Sequence, residues 1–209
     1  DMGRRVVFRF DAGPKVGGGH AMRCLSLADA MVSYGWDCRF AVDPETVQYV
    51  QHLVEHEPSC VIFPKGCNIE PSDVVTVFNG EAIDLLVVDH YGLDFDFEQA
   101  CRVNVKRILA IDDLADRRHD SDFLLDQTLG RKASDYEDLL PSTCSLMLGP
   151  KYALLRPQFA ALREQALRER WSKEQINKIL ISFGMSDARG LALKALCALE
   201  NIDFDGYID

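Results

Sequence analysis

No stretch of this 209-residue sequence holds the run of about 18 to 20 apolar residues that a membrane-spanning helix needs. It also lacks any C-x-x-C pair. Its seven cysteines, Cys24, Cys38, Cys60, Cys67, Cys101, Cys144 and Cys197, are odd in number and scattered. That excludes a clustered zinc site or a disulfide scaffold, and leaves reduced, structural thiols and no metal bound through cysteine. Basic charge is scarce: 23 Lys and Arg stand against 33 Asp and Glu, a net charge of −10 that argues against a general nucleic-acid surface. The first residues lack the apolar core of a signal peptide, because two arginines precede only a short β-like run and then Asp11, so the cytoplasm is the expected compartment. What remains, 47% hydrophobic and 27% charged residues, describes a globular chain long enough for one large domain or two small ones.

The stretch that organises the rest is Val16 to Arg23, reading V-G-G-G-H-A-M-R. It follows the β-like run Arg5–Phe10 and the turn Asp11-Ala12-Gly13, and it opens a run with apolar residues at helical spacing, Met22, Leu25, Ala28, Met31 and Val32. Strand, glycine loop and helix in that order put bare backbone N–H groups at a helix N-terminus, where open α/β sheets bind ligands. Residues without Cβ, Gly17 and Gly19 among them, let a substrate lie against the backbone. His20 falls at or beside the helix start, where the positive end of the dipole disfavours an imidazolium and favours a ring that accepts a proton. A tight turn with a capping histidine is the plainer reading of the same residues. A dinucleotide fingerprint read from Gly17 fails at Met22, where the third glycine belongs, although Asp43 stands where a ribose-binding acid would.

Along the chain, Asp37–Val42 reads as a second strand after the helix stop Tyr34-Gly35, residues 44–55 as a helix carrying Val47, Val50 and Leu53, and Cys60–Phe63 as a third strand. Asp84–Asp89 is a continuous apolar run that suits a parallel strand covered on both faces, and it ends in Asp89-His90-Tyr91-Gly92. Arg107–Ile111 ends likewise in Asp112-Asp113, Phe123–Thr128 in polar residues, and Ser145–Gly149 is a further strand. Polar residues after several parallel strands converge on one rim, though each aspartate alone is equally suited to capping a turn. A loop between Pro150 and Pro157 leads into a charged helix to Trp171. At Lys178 the pattern restarts with a strand to Phe183, the loop Gly184 to Asp187, a helix from Leu191 to Leu199, and a strand-like end from Phe204. This last unit is expected either to begin a second α/β domain or to extend the first sheet.

Seven pieces in order, Arg9-Phe10-Asp11-Ala12, Gly17-x-Gly19-His20-x-x-Arg23, Asp89-His90-Tyr91-Gly92, Asp112-Asp113, Lys132 to Glu137, Tyr152 to Phe159, and Phe183-Gly184-x-Ser186-Asp187, resemble the UDP-sugar hydrolases of pseudaminic acid biosynthesis and the related spore-coat polysaccharide proteins. The resemblance implies a glycosyltransferase-B-like architecture: an N-terminal Rossmann-like parallel sheet with helices on both faces over residues 1–155, a connecting helix and linker over 156–176, and the start of a truncated second nucleotide-binding domain over 177–209. It implies hydrolysis of a UDP-linked diacetamido-trideoxy sugar with inversion at the anomeric carbon, and neither metal nor cofactor. It carries catalysis onto His20, with Asp11 to orient or share the proton. Substrate contacts fall on Arg9, Gly17, Gly19, Arg23, Asp89, His90, Tyr91, Tyr152, Arg156, Gly184, Ser186 and Asp187. The expected partner is the UDP-sugar, with no nucleic acid and no membrane; the oligomeric state is not legible. Met185 departs from the glycine that many relatives carry, and most of the nucleotide-binding domain lies outside the sequence, so this stretch alone is expected to bind UDP-sugar weakly. A glycosyltransferase needing an acceptor, and a non-catalytic sugar-nucleotide-binding module, are the competing functions.

Overall fold

The computed structural model describes residues 3–50, 53, 60–63, 68–171, 176–184, 187, 189–200, 202 and 204–209. Strands β1 (Arg5–Phe10), β2 (Asp37–Val42), β3 (Cys60–Ile62), β4 (Leu85–Asp89), β5 (Ile108–Ile111), β6 (Phe123–Asp126) and β7 (Ser145–Leu148) form one sheet in the order β3-β2-β1-β4-β5-β6-β7. Every neighbouring pair is parallel. This is the doubly wound α/β arrangement, with its order reversing between β1 and β4.

Continuous apolar strands follow from burial on both faces. In β1, Val6, Phe8 and Phe10 pack with Ala21, Cys24, Leu25 and Ala28 of α1 (Gly19–Ser33), while Val7 enters the opposite core. That second core is closed by Val74 of α3 (Pro71–Thr76) and by Phe97 and Cys101 of α4 (Phe95–Cys101). Phe40 of β2 meets Phe8 at a tilt and Phe10 edge-on, at 5.5 and 5.6 Å between centroids. Gly35, at φ +80°, supplies the left-handed step that ends α1 and lets the chain return to β2.

Differences from the sequence expectations have local causes. The helix expected over 44–55 is described as α2 (Pro44–Tyr49), started by Asp43, whose carboxylate accepts the Thr46 N–H at 2.7 Å. α3 and α4 are short helices the apolar pattern did not reveal; each starts at an acid, Glu70 before Pro71 and Asp94 before Phe95. The charged helix α5 (Pro157–Trp171) has no buried residue. After it, β8 (Lys178–Ile179), α6 (Leu191–Leu199) and β9 (Tyr207–Ile208) make a β-α-β unit with its own two-stranded parallel sheet, so it does not extend the first sheet, and β8 is shorter than the expected strand to Phe183. Cys24, Cys38, Cys101 and Cys144 are free thiols, and Cys67 lies outside the described residues. Among the described residues no helix is long and apolar enough to cross a membrane.

Phe8, fully buried between α1 and Phe40, is expected to be among the costliest truncations. Phe8→Ala should lower unfolding free energy by about 3–5 kcal/mol in urea titrations, and a loss within about 0.5 kcal/mol, typical of surface positions, would contradict this packing.

Candidate active site

The reversal of strand order between β1 and β4 opens the crevice in which such sheets bind ligands. Phe10 and Asp89 are register partners there, at the carboxyl ends of the two strands. Side chains alternate across a strand, so the rim divides by face. Asp89 lies in phase with Leu85 and Val87, toward α1; Arg9 lies in phase with Val7, toward α3 and α4.

On the α1 flank, Asp89 is completely buried, and His20 and Arg23 reach it from one face of α1, three residues apart. Its Oδ1 lies 2.5 Å from His20 Nδ1 and 2.6 Å from Arg23 Nη2, and its Oδ2 accepts from Arg23 Nε at 2.5 Å. The carboxylate is held below its ordinary pKa of 3.8: burial works to raise it, but the Arg23 and His20 hydrogen bonds outweigh burial. A carboxylate only accepts, and Arg23 Nη2, 3.2 Å from His20 Nδ1, only donates. The 2.5 Å contact with a carboxylate oxygen assigns a proton to His20 Nδ1, which makes the Arg23 Nη2 approach a close contact between two donors rather than a hydrogen bond, and in the neutral form of that ring Nε2 has the lone pair. The Tyr91 ring stands edge-on to His20 at 4.6 Å. Asp113, two residues past β5, accepts Arg23 Nη1 at 3.1 Å and the Tyr91 hydroxyl at 3.4 Å.

On the other flank, Asp11 accepts Arg9 Nη1 at 2.5 Å and His90 Nε2 at 2.7 Å. Burial opposes ionisation of Asp11, but the His90 and Arg9 contacts win and hold its carboxyl far below the usual range. His90 Nδ1 accepts the Gly92 N–H at 2.9 Å, so this ring is fixed with its proton on Nε2 and has no lone pair to spare. Asp11 was expected beside His20. It is instead tied to Arg9 and His90, and the acid that orients His20 is Asp89, expected only as a substrate contact.

The glycine loop folds back on itself through paired Gly13 and Gly17 backbone hydrogen bonds of 3.2 and 2.7 Å, with Gly17 at φ +84°. Gly18 precedes α1 without a side-chain cap, the first turn has no acid, and Gly18 and Gly19 line a cavity of about 650 Å³. Lys15, Gly17, Gly19, Gly184, Asp187 and Arg189 line that cavity. Asp187 spends both carboxylate oxygens on the Leu191 and Ala192 N–H groups, at 2.7 and 2.8 Å, and so caps α6. Ser186 and Met185 lie outside the described residues. Arg156 lines a smaller cavity of about 240 Å³ together with Gly19 and Arg23. Tyr152 packs against the α1-side core and lines none of these cavities.

The rim aspartates differ in use. Asp112 takes the Ala115 N–H at 2.9 Å and Arg117 at 2.8 Å, the plain turn-holding role. The Lys132–Glu137 segment turns Tyr136 inward, its hydroxyl 3.0 Å from Asp112 and 2.8 Å from Asp126. Arg131 pairs with Asp126 and donates to the Asp113 carbonyl at 2.6 Å, so this motif supports the Asp113 loop. Lys15 and Arg189 line the candidate site and were not singled out in the sequence; Asp113 was read as a rim acid but not as a partner of Arg23. Asp113 had a signal, since an acid after β5 shares the rim with one after β4.

No protein-family model matches the chain. Among curated proteins it is 29% identical over 191 residues to UDP-2,4-diacetamido-2,4,6-trideoxy-beta-L-altropyranose hydrolase of Campylobacter jejuni, covering 91% of this chain and 64% of that protein. It is 24% identical over 207 residues to an uncharacterized protein of Methanocaldococcus jannaschii, covering 98% of this chain and 42% of that protein. The chain thus spans less than two thirds of the length of either relative. The similarity to the hydrolase agrees with the resemblance drawn from the motifs.

Because the Asp89 carboxyl is lowered from 3.8 in the fold, its stabilisation is complete above that value and disappears as pH falls through the folded pKa. Asp89→Asn should cost about 3–5 kcal/mol at neutral pH, by leaving Arg23 buried without its main counter-charge. Urea titrations from about pH 5 to about pH 3 should show the variant losing less stability than wild type; an equal loss in both would contradict the assignment.

Proposed function

We propose that this chain carries the catalytic and sugar-binding part of a hydrolase that releases UDP from a UDP-linked diacetamido-trideoxy sugar, with inversion at the anomeric carbon, in cytoplasmic pseudaminic acid biosynthesis. The observation that carries this reading is the buried Asp89–His20 pair at the switch point, on the first turn of the helix that the glycine loop opens, with the lone pair of the neutral His20 ring on Nε2. The similarity to a protein named as such a hydrolase supports the choice of substrate.

In the proposed reaction a water oxygen attacks the anomeric carbon from the face opposite UDP. His20 Nε2 accepts the water proton, the bond from that carbon to the β-phosphate oxygen breaks, and UDP leaves with the electron pair. Charge builds on the sugar ring as the bond breaks, giving an oxocarbenium-like transition state. Asp89 holds the imidazole in the reactive tautomer and stabilises the imidazolium that forms, the role a buried acid plays behind a catalytic histidine. Arg23 keeps Asp89 ionised and aimed; it is too buried, at 9% exposure, to serve first as a phosphate ligand. The diphosphate is assigned to the cavity of about 650 Å³, where Lys15, Arg189 and the N–H groups of the glycine loop offer positive charge and donors.

The test is UDP release by the full protein in the absence of any sugar acceptor, wild type beside His20→Ala. Wild type should release UDP, and His20→Ala should lose about 10²- to 10⁴-fold in kcat, with the first-formed free sugar of opposite anomeric configuration by proton NMR. Near-normal turnover in the variant would remove His20 from the mechanism, and release only on addition of an acceptor would make the protein a transferase.

A further inference from the structure

A second cavity, of about 400 Å³, opens on the α3/α4 flank of the same strand ends. It starts one residue from the reaction centre: Tyr91 packs on His20, while its neighbours His90 and Gly92 line the cavity. Its polar groups are already aimed. Both nitrogens of His90 are committed, and Asp11 is its acid partner. Asp11 receives two hydrogen bonds, which leaves it acceptor capacity, since an ionised carboxylate has about four lone-pair sites. Arg9 is 95% buried on the same wall, and its Nε–H has no partner among the described residues. The Asn68 carboxamide adds a further donor and acceptor, and Ile69, Leu93 and Phe97 supply an apolar wall.

The charge balance of this cavity is opposite to that of the glycine-loop cavity. Among the described residues, one guanidinium, Arg9, stands here with three carboxylates, Asp11, Asp43 and Glu70; there Lys15 and Arg189 stand with Asp187. Three carboxylates repel a diphosphate, whereas they welcome a neutral group that donates. An acetamido group has an N–H to donate, a carbonyl to accept and a methyl to bury, matching the acceptor, donors and apolar wall found together. We propose that this cavity is the specificity pocket for the substrate's remote acetamido group, on the sugar carbon 4 away from the anomeric centre, a proposal that rests on the hydrolase reading above. The acetamido group beside the anomeric carbon stays with the reacting centre on the α1 flank. The two cavities of opposite charge then fix the direction in which the substrate lies across the switch point. Asp11 is on this account a binding residue.

The test compares UDP release by the full protein from the UDP-linked 2,4-diacetamido sugar and from its analogue with a hydroxyl at carbon 4. Wild type should prefer the diacetamido substrate by about 10²-fold or more in kcat/KM, because a site built around polar partners rejects an analogue that leaves them unpaired. Asp11→Asn, which removes the charged acceptor, and Leu93→Trp, which fills the cavity from its apolar side, should each reduce that preference about tenfold or more. A wild-type preference near unity, or variants that lose rate equally on both substrates, would overturn the pocket while leaving the hydrolase intact. Failure of wild type to release UDP from either substrate would overturn the hydrolase reading and the pocket with it.

Discussion

The burial of one carboxylate, Asp89, is the constraint from which the rest of the site follows. An ion taken out of water costs several kcal/mol unless its partners replace the lost hydration. Asp89 is 0% exposed and answers that cost with Arg23 on both oxygens and His20 on one. Those partners come from a single helix face, so α1 must dock in one register against β4. Arg23 in turn reaches Asp113, whose loop is held by Arg131, and Arg131 is held by Asp126 at the end of β6. The glycine loop that lets α1 begin at that spot completes the arrangement. Three strand ends and one helix are thus coupled through charge-assisted hydrogen bonds, which are stronger than neutral ones.

The topology makes two environments out of one crevice. Alternation along β1 and β4 sends Asp89 to the α1 side and Arg9 to the other, and His90, next in sequence to Asp89, joins Asp11 there. Each flank pairs an aspartate with a histidine, yet the histidines are not equivalent. His20 gives its Nδ1 proton to the acid and keeps a lone pair on Nε2. His90 receives a backbone N–H on Nδ1 and gives its Nε2 proton to the acid, so both positions are used. One pair leaves a lone pair on its neutral ring and the other leaves none.

Much of the fold was legible because a buried parallel strand leaves an unambiguous apolar run: β1, β2 and α6 have the bounds read from the sequence, and β4 to β7 differ by one or two residues at their ends. Short helices were not, since α3 and α4 span less than two full turns each and bury too few residues to set a period; only their capping acids betray them. Of the site, the glycine loop, His20 and the rim of acids were readable as residues after strands. Which acid meets which histidine was not, because the two candidates stand on adjacent strands and only the phase of side-chain alternation separates them. Asp187 illustrates the converse: an acid in a glycine loop read as a ligand, which the first turn of α6 claims for itself.

The central claim is that Asp89 fixes the neutral His20 ring with its proton on Nδ1 and its lone pair on Nε2. Nitrogen-15 NMR of the histidine side chains, with His20 assigned by comparison with a His20→Gln variant, reads this directly. The account predicts a protonated Nδ1 and an unprotonated Nε2 for the neutral ring, with that pattern lost in Asp89→Asn. A neutral His20 carrying its proton on Nε2 in the wild-type protein would contradict it.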